Sequence, residues 1–226
     1  MDNGNGAVAV LFDIDGTLIT TGGAGAVAWR RAFDDLYGIP ADIGQYSDAG
    51  QTDPEVGRVT FTNVIGRDPT PQEMARLITR RLHHLPEAIA EAPGYKVLPG
   101  VPEALERLSE SGVLLGLTTG NVEAAAHIKL ARGGLNKYFC FGGYGSDSTD
   151  RTELTKRGIE RAGMVYGMSL DPKQCLVVGD TPKDVYAAKG AGAVSVGVAS
   201  GHFTKEQLAE AGADHVLASL KEELPL

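Results

Sequence analysis

A chain of 226 residues, 42% of them hydrophobic, is long enough to bury a full α/β core or a core carrying a smaller insert, which excludes a disordered or fibrous protein. The formal net charge of -8 comes from interspersed acidic and basic residues, and this argues against nucleic acid or a membrane surface as the main partner. Only two cysteines occur, Cys140 and Cys175, without metal-ligand spacing, so both read as buried thiols in a reducing compartment.

The first six residues are small and polar with no charged n-region, so no secretory signal is expected. No later apolar run approaches the roughly 20 residues that span a bilayer, and the chain reads as cytoplasmic. Residues 7–12 form a continuous apolar run that stops at Asp13 and Gly16, the pattern of a strand buried on both faces. From 24 to about 91 the pattern is helical with no convincing strand. Residues 24–37 separate Val27, Arg31 and Asp34 from Ala28, Phe33 and Leu36, Asp53 is placed to cap a helix through Ile65, and Thr70 with Pro71 starts another. Gly22, Gly23, Pro93 and Gly94 bracket this block.

Apolar runs then return at 113–117, 175–178 and 193–198, with a weaker one at 215–217, separated by helical patterns at 101–111, 122–132, 152–162, 182–191 and 204–211. Strands alternating with helices imply a Rossmann-like, three-layer α/β core around a parallel sheet. The expected organisation is a core made of residues 1–19 and 95–226, with a helical cap at 20–94 inserted on two linkers.

Active sites of open α/β sheets lie beyond the carboxyl ends of the strands. The first strand ends in Asp13, Ile14, Asp15, Gly16 and Thr17, and residues two apart in extended backbone project to the same side, so both carboxylates can face one crevice. The 113–117 run ends in Thr118, Thr119, Gly120 and Asn121; the run starting at Cys175 ends in Gly179, Asp180, Thr181, Pro182, Lys183 and Asp184. Alone, Asp13 to Gly16 would be an ordinary turn. A second acidic group at another strand end makes a carboxylate cluster the better reading, whereas Thr118 reads as a β-branched strand residue.

Together the Asp13-x-Asp15-Gly16-Thr17 motif, a hydroxyl at Thr119, a basic residue ahead of a helix, and Gly179-Asp180-x-x-x-Asp184 resemble the haloacid dehalogenase-like (HAD) hydrolase superfamily. Within it the match is to phosphoglycolate-phosphatase-like members, which carry a helical cap after the first strand. The resemblance implies a Mg2+-dependent phosphatase acting on a small phosphorylated metabolite. Asp13 is then the nucleophile that forms an aspartyl phosphate, and Asp15 the group that protonates the leaving alcohol and later deprotonates water. It assigns the metal to the Asp13 carboxylate, the Asp15 backbone carbonyl and the Asp180 carboxylate, with Asp184 behind them holding water or the basic residue. Gly16, Thr17, Thr119, Gly120 and Asn121 would bind the phosphate, the last two at a helix start. The family's usual lysine followed by proline is missing; Arg151 takes the comparable position, with Lys156 as its rival. Thr52, in the turn from Gly50 to Asp53, is the candidate for substrate contact from the cap.

Other readings carry less. Gly23-x-Gly25-x-x-Ala28 mimics a dinucleotide fingerprint but lies too far from the strand end, so it reads as a hinge and helix start. His83 and His84 are adjacent on a helix and point apart, and Arg30, Arg31, Arg80 and Arg81 read as a solvated face, from which one could meet an anionic substrate. A phosphosugar mutase or other phosphotransferase would share the aspartyl-phosphate chemistry, but the His and Lys arrangement of its cap is not found near 22–31. A dehalogenase would need neither metal nor Asp15, and a silent relative would not keep every catalytic position. Either a monomer or a homodimer fits the chain.

Overall fold

The computed structural model describes residues 8–226; the expectations for the first six residues and for Ala7 at the head of the first strand fall outside them. β1 (Ala9–Phe12) is buried along its whole length, as a strand covered on both faces must be. It is followed by β2 (Ile19–Thr21), then three helices, α1 (Ala24–Tyr37), α2 (Asp53–Ile65) and α3 (Pro71–Glu91), and β3 (Tyr95–Val97). The remainder alternates: α4 (Val101–Glu110), β4 (Leu114–Thr119), α5 (Glu123–Ala131), β5 (Gly142–Tyr144), α6 (Arg151–Tyr166), β6 (Cys175–Gly179), α7 (Pro182–Gly190), β7 (Val194–Val198), α8 (Lys205–Glu210) and β8 (His215–Leu217).

Six strands form one parallel sheet in the order β5-β4-β1-β6-β7-β8, and the expected α/β Rossmann-like architecture is what the chain adopts. β1 pairs with β4 through Ala9 and Leu114 and with β6 through Ala9 and Cys175. The central strand therefore brings its carboxyl end between the ends of β4 and β6. One apolar layer gathers Val10, Phe12, Leu105, Leu130 and Val178 on one face of the sheet, and a second gathers Leu11, Phe141, Ile159 and Val177 on the other. The order reverses at β1, and the crevice of such a sheet opens at that switch point.

Three strands were invisible in the sequence. β5 is three residues, two of them glycine, a composition depleted in strands. β2 and β3 pair antiparallel, Ile19 to Val97, as a short ribbon at the two ends of the helical block. Within that block α1, α2 and α3 enclose an apolar cluster of their own around Trp29, Phe33, Phe61 and Leu77. A second cluster, with Ala28, Leu85 and Ile89, continues into Val122 and Ala125 at α5 and seats the block on the core.

Cys175 is buried in β6, and burial pushes its thiol up to about 11. Cys140 is exposed, contrary to expectation, because it sits in the turn before β5 instead of within the strand. Among the described residues no helix is long and apolar enough to cross a membrane.

Candidate active site

A cleft of about 590 Å³ lies where β1, β4 and β6 end and where the helical block meets the sheet. Asp13 leaves β1 with its backbone N–H donating to Val178 O at 2.9 Å, so β6 fixes where the carboxylate starts. The chain then turns tightly, with Leu18 N donating to Ile14 O at 2.9 Å and Gly16 N to Ile19 O at 2.8 Å. Gly16 makes this turn at φ 87, and a Cβ there would collide with the Asp180 carboxylate, so only glycine lets the two loops meet.

Asp13, Asp180 and Asp184 offer carboxylate oxygens that all lie within 4.8 Å of one another, and all three residues are buried. Burial, then the charge of Asp184, push Asp13 up to about 7 although Arg151 pulls the other way. Burial followed by Asp184 and Asp13 drives Asp180 up to about 8, against a hydrogen bond from the Thr17 hydroxyl at 3.1 Å. The cation among them is Arg151, at the start of α6, whose Nη2 pairs with Asp184 and lies 3.5 Å from Asp13 Oδ1. Burial opposes the charge on Arg151, yet Asp184 and Asp13 outweigh it and hold the guanidinium ionised. Three buried carboxylates against one guanidinium leave Asp180 with only a hydroxyl partner, and an all-oxygen donor set of this kind fits a hard divalent cation.

Asp15 differs: its side chain is 42% exposed, and its Oδ2 accepts from Lys129 Nζ at 2.6 Å and Asn121 Nδ2 at 2.8 Å. Burial would raise its pKa, but Lys129 and then Asn121 prevail and lower it. Thr119 accepts at Oγ1 from Asn121 Nδ2 at 2.8 Å and lines the cleft with Gly120 and Asn121.

The structure thus gathers Asp13, Asp15, Gly16, Thr119, Gly120, Asn121, Arg151 and Asp180 around one cleft, with Asp184 directly behind. It does not put every candidate there. Thr17 is fully buried and turns its hydroxyl to Asp180, and Thr52 is buried at the start of α2 with no partner for its hydroxyl, whereas its neighbours Gln51 and Asp53 line the cleft. Lys156 is exposed and pairs with Glu153 at 2.8 Å, one turn too far along α6 to reach inward. His84 bonds to Asp35 at 2.8 Å across the helical block.

One charged residue was overlooked in the sequence and another misread. Lys129 on α5 is only 7% exposed and reaches Asp15; the signal was its spacing three and four residues from the buried Ala126 and Ala125, which puts a lysine on an apolar stripe. Arg81 is 1% exposed rather than solvated, paired with Asp53 at 2.7 Å under the ring of Trp29. Asp53 in turn does not cap its own helix, whose N-cap is Thr52; its carboxylate crosses to Val122 instead.

A family model described as a haloacid dehalogenase-like hydrolase matches residues 8–192. The chain is 30% identical over 91% of its length, and 84% of the relative's, to a phosphoglycolate phosphatase of Rhodospirillum rubrum. It is also 30% identical to a validoxylamine A 7'-phosphate phosphatase of Streptomyces hygroscopicus subsp. limoneus, covering 94% of this chain and 93% of that one. Among solved structures it is similar to one from Haemophilus somnus described as a predicted phosphoglycolate phosphatase, with a TM-score of 0.72, 19% identity and 97% of each chain covered.

Proposed function

The chain belongs to the haloacid dehalogenase-like hydrolases, and from that premise we propose that it hydrolyses a small organic phosphate monoester in two steps, with Asp13 as the nucleophile and Mg2+ as cofactor. The observation that carries this reading is the buried group of Asp13, Asp180 and Asp184, braced by Arg151 at the end of the central strand. A carboxylate needs no base to become a nucleophile, and its acyl phosphate is readily cleaved by water. Asp13 and Asp180, with the backbone carbonyl of Asp15, would hold the metal, which offsets the repulsion between carboxylate and phosphate when it is bound.

The remaining work falls to the chain's own groups. Arg151 partly offsets the charge of Asp184 and Asp13, and its guanidinium is the group that would meet the phosphoryl oxygens. The Thr119 hydroxyl and the backbone N–H of Gly120 offer donors just ahead of α5, and Asn121 orients that hydroxyl by donating to its oxygen. The Asp13 carboxylate attacks phosphorus, the ester oxygen leaves, and Asp15 gives it a proton. The incoming phosphate charge raises the proton affinity of Asp15 for that step. Asp15, returned to the carboxylate that Lys129 and Asn121 favour, then deprotonates the water that cleaves the acyl phosphate. We assign residues 20–94 the role of a cap that excludes bulk water and reads the leaving group. The relatives are by name phosphatases of phosphoglycolate and of validoxylamine A 7'-phosphate, which supports a small phosphorylated metabolite as the substrate class.

Assaying phosphate release from p-nitrophenyl phosphate with and without Mg2+, in the native chain and in Asp13→Asn, tests the reading. Turnover that needs Mg2+ and falls at least about a hundredfold in the variant is expected. An active Asp13→Asn protein, or phosphate release that survives thorough chelation, would overturn it.

A further inference from the structure

We propose that Asp53 and Arg81 are positioning residues for the phosphate loop at 119–122: a buried ion pair in the helical block holds that loop in shape, and so makes its geometry depend on how the block is docked. The proposal rests on the reading that this loop binds the phosphoryl group.

The geometry is a two-sided grip. The Asp53 backbone N–H donates to Gly120 O at 2.7 Å, and its Oδ2 accepts from Val122 N at 2.9 Å. One residue of the block therefore holds the peptide groups on both sides of Asn121. Asn121 itself divides its side-chain amide between Thr119 Oγ1 and Asp15 Oδ2, both at 2.8 Å. Any rotation of the peptides at Gly120 or Val122 therefore swings a donor that touches both the loop and the acid-base carboxylate. The approach is close enough that a Cβ at Gly120 would lie 2.6 Å from Gln51 O.

Arg81 fixes Asp53 in turn. Its Nη1 donates to Asp53 Oδ2 at 2.7 Å, and its guanidinium lies 4.9 Å from the centre of the Trp29 ring. Trp29 comes from α1, Asp53 from α2 and Arg81 from α3, so all three helices contribute to the stack of ring, guanidinium and carboxylate that grips the loop. A buried ion pair is a poor way to gain stability, because apolar residues of similar volume often do as well. Its placement beside the phosphate loop supplies another reason for it to be there.

The test compares the full-length native chain with Asp53→Ala, Asp53→Asn, Arg81→Met and the double variant Asp53→Ala/Arg81→Met, with Arg67→Met as a control that breaks an exposed ion pair of the block. Three quantities are read: kcat and KM on p-nitrophenyl phosphate, the inhibition constant of inorganic phosphate, and amide hydrogen exchange of the peptide spanning 119–126. Asp53→Ala is expected to weaken inorganic phosphate and lower kcat/KM by at least about tenfold each, and to deprotect that peptide. Asp53→Asn, which keeps an acceptor for Val122, recovers part of the loss; Arg81→Met shifts all three readouts in the same direction, and the double variant is no worse than Asp53→Ala within about twofold. A pair that serves only stability would lower the urea midpoint and leave the phosphate constant and the 119–126 exchange at native values, and that result overturns the proposal. Exchange needs no turnover, so a chain inert toward phosphate esters would refute the phosphatase reading while the grip is judged on the exchange alone.

Discussion

The pair between Lys129 and Asp15 predicts an asymmetry between two substitutions. Lys129 is 7% exposed and Asp15 is 42% exposed, at 2.6 Å. Asp15→Asn leaves an ammonium buried without its counter-charge, a situation that costs about 3–5 kcal/mol; water at the Asp15 side holds the expected loss near the lower figure. Lys129→Met removes the buried charge, fills much of the same space, and leaves Asp15 with Asn121 and solvent, for a change within about 1 kcal/mol. With a urea dependence of about 3 kcal/mol per molar for a chain this long, Asp15→Asn should lower the midpoint by about 1 M and Lys129→Met by no more than about 0.3 M. Circular dichroism in urea with EDTA present reads both. Activity should divide differently, because Lys129 holds the Asp15 carboxyl down, so its removal lets that pKa rise and moves the alkaline limb of kcat/KM, where Asp15 loses the proton it gives the leaving oxygen, to higher pH. Equal losses of stability, or a larger loss in Lys129→Met, would refute this reading of the pair.

Other expectations follow from the same geometry. Arg151→Met strips Asp184 and Asp13 of their guanidinium, so phosphate release should fall at least about a hundredfold while Arg151→Lys, one charge without the fork, recovers only part of it. Asp13 and Asp180 have folded-state values raised to about 7 and about 8, above their unfolded value of 3.8; their contribution to stability is thus full below about pH 4 and is lost as the pH rises through 7 and 8. Scanning fluorimetry should accordingly find the melting temperature of metal-free protein falling from pH 5 to 8, with the gap to the Mg2+-loaded protein widening over the same range. Gly16→Ala forces a side chain into a left-handed turn against Asp180, and should cost about 1–3 kcal/mol in urea titrations together with most of the Mg2+-dependent turnover.

The core was legible because each of its long strands is buried on both faces and so reads as an unbroken apolar run closed by a polar strand end; β1 and β6 are of this kind. The helices of the insert were legible for a related reason. Thr70 with Pro71 and Glu73 builds the capping box that starts α3, and Gly38 and Gly66 end α1 and α2 in the left-handed conformation. What did not show was anything set by a distant partner. β5 owes its pairing to β4 and the cover of α6, not to its own glycines. Asp53 stands where a helix cap belongs, yet serves α5, 69 positions away. Arg81 lies next to a partly solvated arginine, Arg80, and only the neighbours Trp29 and Asp53 turn it inward. Lys129 alone left a local trace, a charge on an alanine stripe.

The central claim is that Asp13 carries the phosphoryl group. Quenching the enzyme during turnover of a phosphate monoester with Mg2+, reducing with borohydride and mapping peptides by mass spectrometry tests it directly, since hydride converts an aspartyl phosphate to homoserine. Homoserine at position 13, and at no other aspartate, is the expected result. Steady phosphate release with position 13 unmodified, or the label on Asp15, Asp180 or Asp184, would contradict the account.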